Sequence, residues 1–518
     1  MKTTRSLTFA LALLAIACSQ DVIELQPPAG VEPENCNGVT AGSADFTKFV
    51  AVGNSFVAGF QAGALFTEGQ DNSLPAILNK QFECANAPAA FKQPTINTQF
   101  GYNLFITPNP VGGVVLGRLL LQGASPKPTP QVSSTGALPN PAVNPGFIYA
   151  GAKAELNNFG IPAIVLGQAL IPQTGAWAGA GTDPRFNPFY GRLAYPGNGT
   201  STLIGDAAAA GGSFFLFWLG MDDFFLNAAF GGDVTKAPIT TAPAFQGQYA
   251  AAVGALLASN PNLKGVVLNF PSIFVMPHFT SVVWNALPLN EPTAAGLTAS
   301  LANNYNAFLD GMAANAIISG DEATKRKLAY VAGQNGILMS DETLTDLSPY
   351  MTGPYAGLLP YARARQTKNT DILPLAAGSV IGTAIGGDPT KVYGVSVPLP
   401  DQYVLIPTES AAIETARIAF NGTVKAVADA NAARLAFADI NKAFEDFLIS
   451  KLYVLNNVSI TPNINPPTGI YSEDGIHPNS RGYAFISRTV IQAINEKFGS
   501  TVKVTDISKY KATGLPIP

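Results

Sequence analysis

The sequence predicts a three-layer α/β fold, a parallel β-sheet flanked by helices and interrupted by large loop insertions. Short unbroken apolar runs recur along the chain, helical patterns fall between them, and each run ends where a loop begins. The runs are "KFVAVG" (48–53), "FFLFWLG" (214–220), "GVVLNF" (265–270) and "LAFADI" (435–440). None alternates apolar with polar, so each suits a parallel strand buried on both faces. Helical patterns occupy "QYAAAVGALLAS" (248–259), "GLTASLANNYNAFLDGMAAN" (296–315) and "ESAAIETARIAFNGTVKAVADAN" (409–431). In a last helix Tyr483, Ile486, Val490, Ile494 and Phe498 recur every three or four residues and make one apolar face. No internal repeat is present, and no linker after residue 45 divides the chain.

Composition supports a large core. Of 518 residues 47% are hydrophobic, whereas only 12% are charged, about half the usual share. The 50 glycines and 40 prolines predict long, neutral, loop-rich excursions. A formal net charge of −4 without any basic run argues against nucleic acid as a partner.

At the N-terminus Lys2 and Arg5 precede an apolar run from Leu7 to Ala17 that is too short to span a bilayer, so residues 1–17 read as an export signal. The run ends in "LLAIAC", with small Ala15 and Ala17 before Cys18. This resembles a bacterial lipoprotein signal, which implies a lipidated Cys18 and anchoring at the cell envelope, in the outer membrane. Residues 18–45, rich in Pro, Gly and acidic side chains, read as a tether. Cys36 and Cys84 lie in a chain expected to be exported, where a disulfide between them is one outcome and two buried thiols the other. Such a bridge would be worth roughly 4 kcal/mol in the chain-entropy account. Two cysteines without clustered histidines do not make a zinc site, and no metal or cofactor is expected.

Function in such sheets gathers beyond the carboxyl ends of the strands. The first strand runs into "VGNSFVAGF", which puts Ser55 on a strand-to-helix turn. The stretch is not a G-x-S-x-G elbow, because Val57 stands where the second glycine would be. One of the two histidines in the chain, His477, follows Asp474 by three positions in "DGIHP". An aspartate at that spacing can hold one ring nitrogen while the other serves a serine hydroxyl, the arrangement of a nucleophile, a general base and an orienting acid.

Together these stretches resemble the SGNH (GDSL-type) hydrolases. "GNS" (53–55), "NNFGIPA" (157–163), "WLGMDDF" (218–224) and "DGIHP" (474–478) occur in that family's block order, and "GVVLNFPSIFVMPHF" (265–279) is similar to the fourth-strand segment of long bacterial members. The resemblance covers about residues 46–498 and implies one hydrolase-like domain over 46–518 with a flavodoxin-like sheet. It implies a serine esterase acting on lipid or glycan acyl esters, with Ser55, His477 and Asp474 as a triad and Ser55, Ala163 and Asp222 around the oxyanion. Three positions depart from the family pattern. Asn54 replaces the aspartate before the serine, Ala163 replaces a glycine, and Asp222 replaces an asparagine. An ionised carboxylate cannot donate a hydrogen bond, and losing one oxyanion donor typically costs about 10²–10³ in turnover. The alternative is therefore a weakly catalytic or non-catalytic surface lipoprotein that uses the fold for binding or assembly.

An SGNH core accounts for about two hundred residues, so insertions are expected at about 61–145 and 275–415, the first carrying a structureless tract, "PKPTPQVSSTGALPNPAVNPG". The second could cover the cleft as a lid, offer a docking face, or be a plain packed subdomain. His278, in "MPHF", is expected in a packing or loop role, and Asp341 and Glu342, in "MSDETLTD", in a solvated turn.

Overall fold

The four apolar runs and one further short segment pair as one parallel sheet. The strands are β1 (Phe49–Gly53), β2 (Asn158–Gly160), β3 (Phe214–Trp218), β4 (Lys264–Leu268) and β5 (Leu435–Ala438). They lie in the order β2-β1-β3-β4-β5, every neighbouring pair parallel. This is the flavodoxin-like order of doubly wound sheets. Every residue of β1 and β3 is buried, which is why these strands read as continuous apolar runs. β2 is the strand that pattern reading does not find. It is three residues long and begins with Asn158, whose side chain donates to the Val57 carbonyl (3.0 Å).

This computed structural model describes residues 36–88, 90–102, 115–123, 127–133, 147–194, 199–450 and 453–514. The export signal expected at 1–17, Cys18 and most of the tether lie outside the described residues. Cys36 and Cys84 are both disulfide-bonded. Residues Gly38–Pro518 form one compact unit.

The helices that position the site are α1 (Ser55–Ala58), α2 (Leu74–Phe82), α3 (Leu203–Ala209), α4 (Asp222–Ala229), α5 (Ala242–Ser259), α6 (Pro407–Ala430) and α7 (Ser480–Phe498). α7 packs on β5 and α2, while α6 packs on α5 and α4 and α5 on α3, so that helices cover the sheet as outer layers. The apolar face expected of α7 is the buried one, and Asn479 caps its start by accepting from the Gly482 N–H. Phe46 stacks on Phe82 (4.1 Å between centroids), and Phe214 meets both Phe82 (6.2 Å) and Phe498 (5.7 Å). Aromatic contacts thus tie β3 to α2 and α7, and thereby the first strand region to the last helix. No helix among the described residues is long and apolar enough to cross a membrane.

Part of the tract expected to be structureless is ordered. Lys127–Ser133 forms a strand antiparallel to Val115–Gln122. Pro128 and Pro130 are compatible with it because a two-stranded ribbon leaves alternate positions without a required N–H. On the partner strand Leu119 and Leu121 are buried, and Leu119 packs with Ala62, Ala64 and Phe66. Residues 134–146 lie outside the described set.

The second insertion is a packed body with apolar clusters of its own. One centres on Tyr305, Phe308, Leu309 and Leu347, another on Ile337, Met339, Leu373 and Leu399. A buried ion-pair network sits beside them. Arg365 Nε donates to Asp341 Oδ2 (2.5 Å), its Nη1 and Nη2 donate to Asp371 (2.6 and 2.8 Å), and Lys325 reaches Asp341 (2.9 Å). Asp341 is therefore fully buried, which corrects the solvated turn expected there. Glu342, its neighbour in sequence, is exposed and joins Asp401 and Glu409, with one carboxylate oxygen of each within 4.8 Å of the others.

Candidate active site

Ser55 opens α1 at the end of β1, the strand that lies between β2 and β3 where the order of connection reverses. Crevices at such switch points are where open α/β sheets bind ligands. Asn54 is the cap of α1, its side-chain oxygen accepting from the Phe56 N–H (3.2 Å). A β-carbon on Gly160 would lie 2.2 Å from the Ala58 nitrogen, so the glycine in β2 lets α1 rest directly on the sheet.

The three residues expected to act together are in contact. Ser55 Oγ and His477 Nε2 are 2.9 Å apart, and His477 Nδ1 and Asp474 Oδ2 are 2.8 Å apart. All three are buried, at 6%, 6% and 2% exposure. Burial opposes the charge on Asp474, but the adjacent His477 and the backbone N–H groups of Ile476 and His477 outweigh it and hold the carboxyl at about 2. An ionised Asp474 can only accept, so Nδ1 carries the proton, Nε2 is left as acceptor, and the serine hydroxyl donates to it. The imidazole lies against the rings of Phe56 (4.8 Å) and Phe60 (5.0 Å), which limit its rotation.

Asp474 is held more fully than sequence reasoning anticipates. Oδ1 accepts from the N–H groups of Ile476 and His477 (both 2.8 Å) and from the Ser472 hydroxyl (3.1 Å), and Oδ2 also accepts from the Gly63 N–H (2.8 Å). Ser472 Oγ in turn accepts from the Ala62 N–H (2.9 Å). Ala62 and Gly63 both have positive φ, 49° and 69°. The residues where the first insertion was expected to begin thus belong to the framework of the acid loop.

His278 stands behind that loop. Its N–H donates to the Gly475 carbonyl (2.9 Å), its Nδ1 lies 3.3 Å from the Asp474 carbonyl, and its own carbonyl accepts from Leu375 N–H (2.6 Å). Burial pushes its ring down to about 4, with His477 adding to the effect and Asp474 opposing it. The loop role expected of His278 is what these contacts describe. A β-carbon on Gly475 (φ +70°) would lie 2.8 Å from the His278 nitrogen.

Ala163 and Asp222 follow the two strands that flank β1. Ala163 has φ +49°, the left-handed region that favours glycine. Its turn is pinned by Asn187, whose Nδ2 donates to the carbonyls of Pro162 (2.9 Å) and Ala163 (3.2 Å), and by Asp223, which accepts from the Leu166 N–H (2.8 Å) and the Thr240 hydroxyl (2.7 Å). Burial raises Asp223 to about 6 against those two hydrogen bonds. Asp222 is the first residue of α4 and 4% exposed, and its Oδ2 is sealed from water without a hydrogen-bond partner. Burial pushes it up to about 8, helped by the charge of Asp223 and opposed by Asn54 and the Ile164 N–H. Asn54 Nδ2 is likewise buried without a hydrogen-bond partner among the described residues. The Asn187 and Ser472 clamps were not singled out from sequence, since an asparagine or serine in a loop carries no signal of its own, and Asn54 was noted only as a departure from the family pattern.

Set beside known proteins, the chain matches no family model, no curated protein and no solved structure.

Proposed function

We propose that this chain is a serine hydrolase of the SGNH type that cleaves carboxylic esters. The observation that carries the reading is the buried Ser55–His477–Asp474 relay, with bonds of 2.9 and 2.8 Å. The order of the sequence blocks and the position of Ser55 at the switch point of the sheet support it as well. In this reading His477 Nε2 takes the Ser55 proton as Oγ attacks the ester carbonyl, and Asp474 stabilises the imidazolium that forms. His477 then gives the proton to the departing alkoxide, leaving an acyl-serine and a free alcohol. Water, deprotonated by the same nitrogen, releases the acid and restores Ser55. The N–H groups of Ser55 and Ala163 are the backbone donors for the oxyanion, with the Asp222 side chain beside them. Neither N–H is engaged by an acceptor among the described residues. Lipid or glycan acyl esters are the substrate class proposed, and lipidated Cys18 is the proposed membrane anchor.

A fluorophosphonate probe tests the reading, because it labels only an activated serine. Labelling that maps to Ser55 and disappears in Ser55→Ala is the expected result, and an unlabelled native protein would reject it. For the anchor, mass spectrometry of the mature N-terminal peptide should find acyl groups on Cys18, and an unmodified cysteine there rules the anchor out.

A further inference from the structure

We propose that Asp222 donates the third hydrogen bond to the oxyanion as a neutral carboxylic acid, so that its ionisation closes the site and gives the enzyme an alkaline limit of its own. This rests on the hydrolase reading above and concerns what regulates that same site.

The geometry supplies the argument. Asp222 begins α4 just beyond β3, and Ser55 begins α1 just beyond β1, on adjacent strands paired through Gly53 and Trp218. Asp222 Oδ2 is a buried polar atom without a partner, in a cleft whose two backbone donors are themselves unengaged. Leaving a buried oxygen unpaired is unfavourable, and a ligand able to accept from it removes that cost. The Asn54 carboxamide is fixed because its oxygen caps α1, which leaves Nδ2 as the amide group free to face the Asp222 carboxyl. That amide suits the carbonyl oxygen of a neutral acid and leaves the hydroxyl for the substrate.

The surroundings favour the neutral form. Asp223, next in the chain, is the ionisable neighbour that adds to the effect of burial. The 161–166 turn offers N–H groups and no charge, and α1 carries no ionisable side chain apart from the serine. From the 239–241 segment Thr240 faces Asp223. On α6, which packs against α4, Arg417 is engaged by Glu414, the Phe270 carbonyl and Asn441, while Glu409 accepts from the Ile406 N–H; Lys425 pairs with Asp429. His477 is engaged by Ser55 and Asp474. Among the described residues no cation contributes to the state of Asp222.

The test compares wild type with Asp222→Asn, whose amide donates at every pH. Steady-state hydrolysis of a p-nitrophenyl ester is measured from neutral to alkaline pH, with fluorophosphonate labelling of Ser55 run in parallel. The wild-type kcat/KM should fall about tenfold per pH unit once Asp222 ionises, from about pH 8, and the profile of Asp222→Asn, normalised to its own value at pH 7, should lack that limb. Labelling of both proteins with the same alkaline limb in each overturns the inference and leaves the hydrolase standing. Absence of labelling in wild type overturns both. If Asp222→Asn does not fold, infrared spectra of the wild type decide. A carboxylic acid band present at neutral pH that shifts when the phosphonate adduct forms on Ser55 supports the inference, and a band unmoved by the adduct overturns it.

Discussion

Ser55, His477 and His278 separate reaction from scaffolding at the level of single side chains. Ser55→Ala and His477→Ala should each lower esterase turnover by at least about 10³; Ser55→Ala should leave the melting transition close to wild type, whereas His477→Ala should also lower it, because the imidazole packs on Phe56 and Phe60 and pairs with buried Asp474. His278→Ala should retain most of the activity, because its strongest bonds, to Gly475 and from Leu375, use the main chain. A His278→Ala variant more damaging than His477→Ala would reassign the base. Asp222 makes a further prediction, in stability. Its folded pKa of about 8 lies above that of an unfolded aspartate, about 3.9, so the folded state binds the extra proton between those values. Stability from this group is full below the unfolded pKa and is lost as pH rises through about 8. Asp222→Asn should therefore melt above wild type at pH 8 and lose that advantage near pH 4. A constant difference across the range would show that Asp222 does not titrate in this window. The triad itself was legible because His is rare here and its spacing from Asp474 is local. The state of Asp222 was not, because it depends on burial created by α4, α1 and the 161–166 turn, which are far apart in sequence.

Among the elements, the turn after β2 is where local preference and function disagree most. Ala163 holds a left-handed backbone at a cost of roughly 1–2 kcal/mol, against which glycine would lose about 0.5–1 kcal/mol of chain entropy. Ala163→Gly should raise the denaturant midpoint by a net gain of up to about 1.5 kcal/mol without altering the slope, and an unchanged or lower midpoint would mean that the methyl group contributes packing that offsets the strain. Strands β1, β3, β4 and β5 could be read from their apolar runs because burial on both faces removes any alternation. β2 could not, since three residues beginning with an asparagine give no period. The Pro128 and Pro130 strand was hidden for another reason: proline is a breaker in a central strand but not in a ribbon with free edges.

For the molecule as a whole, the second insertion has its own apolar clusters, and a charged network sits beside them. Arg365 lies between Asp341 and Asp371 with almost no exposure, so removing it leaves two carboxylates buried with Lys325 as the remaining cation. Arg365→Ala should cost roughly 3–5 kcal/mol locally. Limited proteolysis should then cut within residues 282–406 first, while the aromatic cluster of Phe46, Phe82, Phe214 and Phe498 keeps the sheet resistant. Equal susceptibility of both regions would show that they unfold as one unit. The body was recognisable in the sequence as an insertion, but its charged core was not, because Asp341, Arg365 and Asp371 look like ordinary loop residues until folding brings them together.

The two partners of the central hydrogen bond, Ser55 and His477, are 422 positions apart. A chain still being synthesised therefore carries Ser55 long before His477, and every product of premature termination before residue 474 lacks both the proposed base and the proposed acid. On the proposed reading the serine can react only after residues 474–477 have been made and α7 has docked, so synthesis as far as that loop acts as a safeguard against earlier reaction.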